Sequence, residues 1–303
     1  MNPSTFSTWL RLDAFFAVLA LWLLVGPRWV PQRPGERRKL WIKLGVFYLV
    51  VHATLAVIDL GGPWLKVAMA AVAVVGSREL TLALLGLASE QRPYRWLATG
   101  GSVAIVCAAG PGGCEVQVLV LVLLAAAALP VLLERPSGAR ASAGAVALTA
   151  LLAGLLPASV YRLRIEHGGL AAFLFILVAL NDAGAEVVGR TFGRRPLSPL
   201  SPRKTVEGLV GGLLATAVAS IAFASLLQAG PIHLATLSLV AALAAVLGDL
   251  IFSAIKRDAG CKDFQTLLPA HGGLLDRFDS FLVSASCCHL LLQALPLVFG
   301  AVG

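Results

Sequence analysis

Long apolar stretches follow one another along this chain with little between them, and that feature limits its possible folds more than any other. A helix needs about 20 consecutive apolar residues to cross the hydrocarbon core of a bilayer. Ten candidates can be marked, at roughly residues 10–28, 44–60, 65–85, 97–110, 116–133, 141–158, 169–189, 208–228, 233–255 and 279–299. A water-soluble chain covers itself with charge, about 25% of its residues; here 58% are hydrophobic and 13% charged, with a mean hydropathy of +0.86. The outer surface is therefore expected to face lipid, and the expected fold class is all-α, a polytopic transmembrane helical protein of about ten spans. The first stretch runs into Gly26-Pro27-Arg28-Trp29 rather than a small-residue cleavage site, so it reads as an uncleaved span. The fourth is the least secure of the ten and leaves a re-entrant segment open.

The basic residues orient this arrangement. Of the 24 Lys and Arg, 19 are Arg28 or lie in the alternate loops 29–43, 86–96, 134–140, 190–207 and 256–278. Arg11, Lys66, Arg162 and Arg164 fall on the other side, and Arg78 lies inside the third stretch. Basic loops stay on the cytosolic side, so both termini are expected outside and loops 190–207 and 256–278 in the cytosol. The net charge of +8 thus reads as topology signal and contact with anionic membrane lipids, and no nucleic-acid partner is expected. The five cysteines contain no CxxC pair, which speaks against a zinc site. Arg78 and Glu79 leave two readings open: a misplaced helix end with snorkelling side chains, or the polar wall of a cavity.

Two long polar stretches interrupt the pattern, both on the expected cytosolic side. The first runs from Asn181-Asp182 through Gly189-Arg190 to Ser201-Pro202-Arg203-Lys204-Thr205. Ser201, Arg203, Lys204 and Thr205 offer hydroxyls and cations beside a helix start, a favourable place for phosphate. A topology-setting loop with a cap at Ser201 or Thr205 is the plainer alternative. The second stretch holds Asp249, Ser253, Lys256, Arg257, Lys262, Asp263, His271, Asp276, Arg277 and Asp279. Asp249, Ser253 and Lys256 fall on one helical stripe, and Asp276 and Asp279 share a face at i, i+3. Converging carboxylates suit magnesium that also grips substrate phosphates. Interhelical salt bridges, such as one from Asp249 to Arg277, would account for part of the same charge.

The residues Ser253, Lys256-Arg257, Lys262-Asp263, Pro269, His271-Gly272-Gly273 and Asp276-Arg277-x-Asp279 closely resemble the signature of the phosphatidate cytidylyltransferase (CDP-diacylglycerol synthase) family. Upstream, Asn181-Asp182, Gly189-Arg190, Phe192-Gly193, Ser201-Pro202, Lys204-Thr205 and Glu207-Gly208 resemble it too. The likeness covers about residues 180–280; the N-terminal half is similar only in hydropathy. The chain is accordingly divided into N-terminal transmembrane helices, 1–168, and a C-terminal transmembrane catalytic region, 169–303. Glu186, Gln265 and Ala270 depart from the family pattern, leaving room for an altered lipid or nucleotide preference.

The resemblance implies an enzyme of the bacterial inner (cytoplasmic) membrane, with its active site facing the cytosol, that converts CTP and phosphatidate to CDP-diacylglycerol and pyrophosphate. Mg2+ (or Mn2+) is expected on Asp249, Asp276 and Asp279. Lys256, Arg257, Lys262 and Arg277 would hold phosphate oxygens, with Asp182, Ser201, Arg203, Lys204, Thr205, Ser253 and Asp263 also in the substrate site. His271 would orient or donate, since a phosphate monoester is already ionised at neutral pH. A homodimer is left open. A CTP-dependent polyprenol or phytol kinase is the runner-up, separable because it would release CDP. A transporter is disfavoured by the absence of repeats, and a CDP-alcohol phosphotransferase because the chain has no Asp-Gly pair.

Overall fold

The computed structural model describes residues 34–134, 137–227, 230–264 and 273–295. The chain forms two compact units, Met1–Ala56 and Val57–Gly303. Described helices are α1 (Pro34–Leu60), which runs across that boundary, α2 (Gly62–Leu85), α3 (Arg92–Ala108), α4 (Glu115–Leu132), α5 (Ala139–Thr149), α6 (Leu156–His167), α7 (Leu170–Phe192), α8 (Val206–Leu227), α9 (Pro231–Asp258) and α10 (Leu275–Ala294). A two-stranded antiparallel hairpin, β1 (Pro196–Ser198) and β2 (Ser201–Thr205), pairs Pro196 with Thr205 and Ser198 with Ser201. The sequence was expected to be helical with a broken loop here; the hairpin is the one sheet among the described residues.

Among the described residues, six helices are long and apolar enough to cross a membrane. They are Gly62–Leu85, Glu115–Leu132, Ala139–His167, Leu170–Phe192, Val206–Phe223 and Ile232–Asp258. The candidate at 10–28 lies outside the described residues. The stretch at 97–110 is a continuous helix from Arg92, with Pro93 in its first turn, but it is 17 residues long. α10 carries Asp276, Arg277 and Asp279 in its first turns and His289 and Gln293 further on, which lowers its hydropathy. α5 and α6 form one span joined by a π-helical turn, Ala150–Leu155. Pro157 follows that turn, and its ring would clash with a carbonyl one turn back in a regular helix, which the wider turn relieves.

Lipid-facing surface is evident on α8, where Leu214, Val218 and Ile221 are 63–73% exposed at i, i+4 and i+7. A stripe of this kind has no place in water. The opposite face of α8 lies close on α7: a Cβ at Gly208 would stand 2.7 Å from the Ala185 carbonyl oxygen, and one at Gly212 2.8 Å from that of Asn181. Small residues that let two backbones approach in this way are a usual device of membrane helices. α9 then returns antiparallel to α8 and packs on α10. Gly248 makes that contact close, since a Cβ there would meet the Asp279 carbonyl oxygen at 2.9 Å.

Candidate active site

The hairpin is tied to the start of α8 by the sequence around it. Thr205 caps the helix, its Oγ1 accepting the Gly208 N–H at 3.1 Å. Glu207 in the first turn accepts the N–H groups of Arg194 and Arg195 at 3.0 and 3.2 Å. Ser198 Oγ accepts the Leu200 N–H within the turn. These bonds fix β2 at the start of α8, and Lys204 reaches from β2 to Asp249 near the end of α9, Nζ to Oδ2 at 2.8 Å. The two polar stretches therefore meet at one end of the bundle, because α8 and α9 form an antiparallel pair between them.

Around this bridge the charges converge. Asp182 of α7 is near enough to interact with Lys204 and Asp249, and Asp279 of α10 with Asp249, Lys256 and Asp182. Asp279 is buried and its Oδ1 accepts the Ser280 N–H at 2.7 Å. Lys204 and Asp249 keep part of their side chains open, 31% and 25%.

A second ion pair lies deeper. Lys256 Nζ donates to Asp276 Oδ1 at 2.6 Å, with side chains 10% and 11% exposed. Asp276 Oδ2 accepts two backbone N–H groups, from Phe264 at 3.1 Å and from Gly273 at 3.0 Å. The Lys256 ammonium also stands 5.5 Å from the centre of the Phe264 ring. Both Asp276 oxygens are thus engaged by the protein itself. Among the described residues no three His, Cys, Asp or Glu side chains are grouped closely enough to hold a metal ion unaided.

The remaining expected residues are less concentrated. Ser201 and Ser253 are half-buried, and Arg203, Arg257, Lys262, Asp263 and Arg277 are exposed at the same end. Arg257 donates to the Cys261 carbonyl, closing the turn after α9. His271 lies outside the described residues, as do Gln265 and Ala270. Glu186 forms an exposed pair with Arg190.

Sequence reasoning missed two contributors. Phe264 supplies a ring and an N–H to the Lys256–Asp276 pair, with no signal in an isolated aromatic. Glu79 does not snorkel: it is 3% exposed, and it accepts the N–H groups of Leu274 and Leu275 at the start of α10. Its neighbour Arg78 is exposed. An acid inside an apolar helix was the available signal, but nothing in the sequence pointed to a partner 195 residues away.

Fold and site together define an integral membrane protein of α-helices, with lysine–aspartate pairs gathered where its polar loops meet. The chain belongs to the cytidylyltransferase family, whose model matches residues 41–295. Among curated proteins it is similar to a phosphatidate cytidylyltransferase of Mycobacterium leprae, 43% identical over 133 residues, 43% of each chain. One from Helicobacter pylori is 41% identical over 126 residues, 41% of this chain and 47% of the relative. One from Staphylococcus saprophyticus is 38% identical over 136 residues, 44% of this chain and 52% of the relative. The chain spans about half the length of the curated relatives it matches.

Proposed function

We propose that this protein joins CTP to phosphatidate, giving CDP-diacylglycerol and pyrophosphate. The observation that carries the reading is the Lys204–Asp249 bridge, which draws both polar stretches into one partly open site. The names of the relatives supply the substrates. In the reaction a phosphate oxygen of the lipid forms a bond to the α-phosphorus of CTP, and the bond from that phosphorus to the bridging oxygen of pyrophosphate breaks. Both reactants are anions, so the site must neutralise and align them.

Lys204 suits the lipid phosphate. It sits on a hairpin at the end of a span, the depth at which a headgroup stays while its acyl chains remain in the bilayer. An arriving phosphate competes with Asp249 for the ammonium and frees that carboxylate. Asp249 and Asp279, with Asp182 near them, bring carboxylates together beside Lys204 and Lys256. That donor chemistry fits a divalent ion such as Mg2+, which is commonly held by one or two carboxylates together with substrate phosphates and water. Asp249 and Asp279 would hold it, and when bound it would supply positive charge to neutralise the nucleotide phosphates. Asp276 is left out of this set because Lys256 and two N–H groups occupy it. Lys256 and Asp276 instead hold the turn after α9 against α10, and Lys262, exposed at the same end, suits phosphate oxygens.

The same reading puts the site on the cytosolic face of a bacterial inner membrane, where CTP is found and where the basic loops 190–207 and 256–278 are retained. Purified protein given labelled CTP and phosphatidate tests the function. Labelled CDP-diacylglycerol with release of pyrophosphate supports it; release of CDP with phosphorylation of a lipid alcohol would replace it with a kinase.

A further inference from the structure

Glu79 stands near the end of apolar helix α2, yet its carboxylate meets the first turn of α10. One oxygen accepts the Leu274 N–H at 2.7 Å and the other the Leu275 N–H at 2.9 Å. The first N–H groups of a helix have no partner within it. A carboxylate there satisfies two of them and lies at the positive end of the helix dipole, which offsets the cost of burying its charge. One turn earlier on α2, Gly76 receives the Leu275 side chain: a Cβ at Gly76 would stand 2.9 Å from Leu275 Cδ2. Gly76 and Glu79 share a face at i, i+3, and Leu275 is fully buried. Together they form a socket for the start of α10. Asp276 completes the cap from α10 itself by accepting the Gly273 N–H. The three N–H groups of residues 273–275 are thus all bound by carboxylates.

From this geometry we infer that Glu79 is a positioning residue for the carboxylates of α10. Asp276 follows Leu275 directly and Asp279 follows one turn later, so a shift of the capped turn moves both. Every other group assigned to the site lies at Asp182 or beyond; Glu79 makes the N-terminal half of the chain part of it. The inference rests on the proposed reaction for its activity readout alone.

Two measurements on the full-length purified protein test it. Hydrogen exchange at the Leu274 and Leu275 amides of the wild type should be slowed at least about tenfold relative to an open helix start, and Glu79→Gln should lose that protection. Free exchange in the wild type, or full protection in the variant, overturns the inference. In turnover, Glu79→Gln should lower kcat roughly ten- to a hundredfold while KM for CTP stays within about threefold. A role in filling space alone predicts that the isosteric Gln works as well as Glu. The cap predicts that Gln falls close to Glu79→Ala, because its amide N–H2 would face a backbone N–H. Wild-type kcat in Glu79→Gln overturns the inference. Should the wild type make no CDP-diacylglycerol, the proposed reaction fails while exchange still decides the cap; if the variant does not fold, wild-type exchange decides alone.

Discussion

Two lysine–aspartate pairs sit at the same end of this molecule, and they differ in everything except residue type. Lys204–Asp249 joins a surface hairpin to the end of α9 and is about a quarter to a third open, at 31% and 25%. Lys256–Asp276 joins α9 to α10 and is nearly closed, at 10% and 11%, with two backbone N–H groups and an aromatic ring around it. A partly solvated bridge exchanges partners at little cost. A buried one cannot be opened without leaving a charge uncompensated. The first pair is therefore suited to give up its lysine to a substrate phosphate, and the second to hold two helices in register.

The largest effect should come from the closed pair. Lys256→Ala leaves Asp276 without its cation, and breaking a buried pair in this way costs about 3–5 kcal/mol. The thermal midpoint in detergent should fall sharply and turnover should vanish with it. A variant that melts like the wild type would show that the pair is not structural and would erase the contrast.

That contrast was only partly legible in the sequence. Alternation of apolar and polar segments was enough to locate the helices, and 169–189 agrees with Leu170–Phe192 to within three residues at each end. Boundaries failed where charge belongs to a helix. The last stretch was set at 279–299, yet α10 begins at Leu275, because carboxylates cap its first N–H groups and turn an apparent loop into a helical turn. The i, i+3 spacing of Asp276 and Asp279 correctly put them on one helix. It could not say that a lysine and two N–H groups engage the first while the second lies near Asp249. The hairpin at 196–205 escaped notice because three prolines in ten residues read as a breaker, although a short edge pairing tolerates them.

A middle-sized effect belongs to the open pair. Lys204→Ala should raise the apparent KM for phosphatidate roughly ten- to a hundredfold, the effect of one charge-assisted contact to phosphate, with the melting midpoint little changed. Titration of each substrate separately checks this; a rise in KM for CTP alone would move Lys204 to the nucleotide side.

The smallest effect is expected at the exposed Glu186–Arg190 pair, with side chains 60% and 64% open. Arg190→Ala should change stability by less than about 1 kcal/mol, as surface bridges do, when followed by thermal unfolding. A large loss would mean that this end of α7 is less solvated than its exposure indicates.

The central claim is that one pair works and the other holds. Asp249→Asn and Asp276→Asn, purified side by side, test it through turnover and thermal midpoint together. Asp249→Asn should lose at least about a hundredfold in kcat with its midpoint within about 2 °C of the wild type. Asp276→Asn should lose both activity and several degrees of midpoint. Retained turnover in Asp249→Asn, or a fall in its midpoint equal to that of Asp276→Asn, would contradict the account.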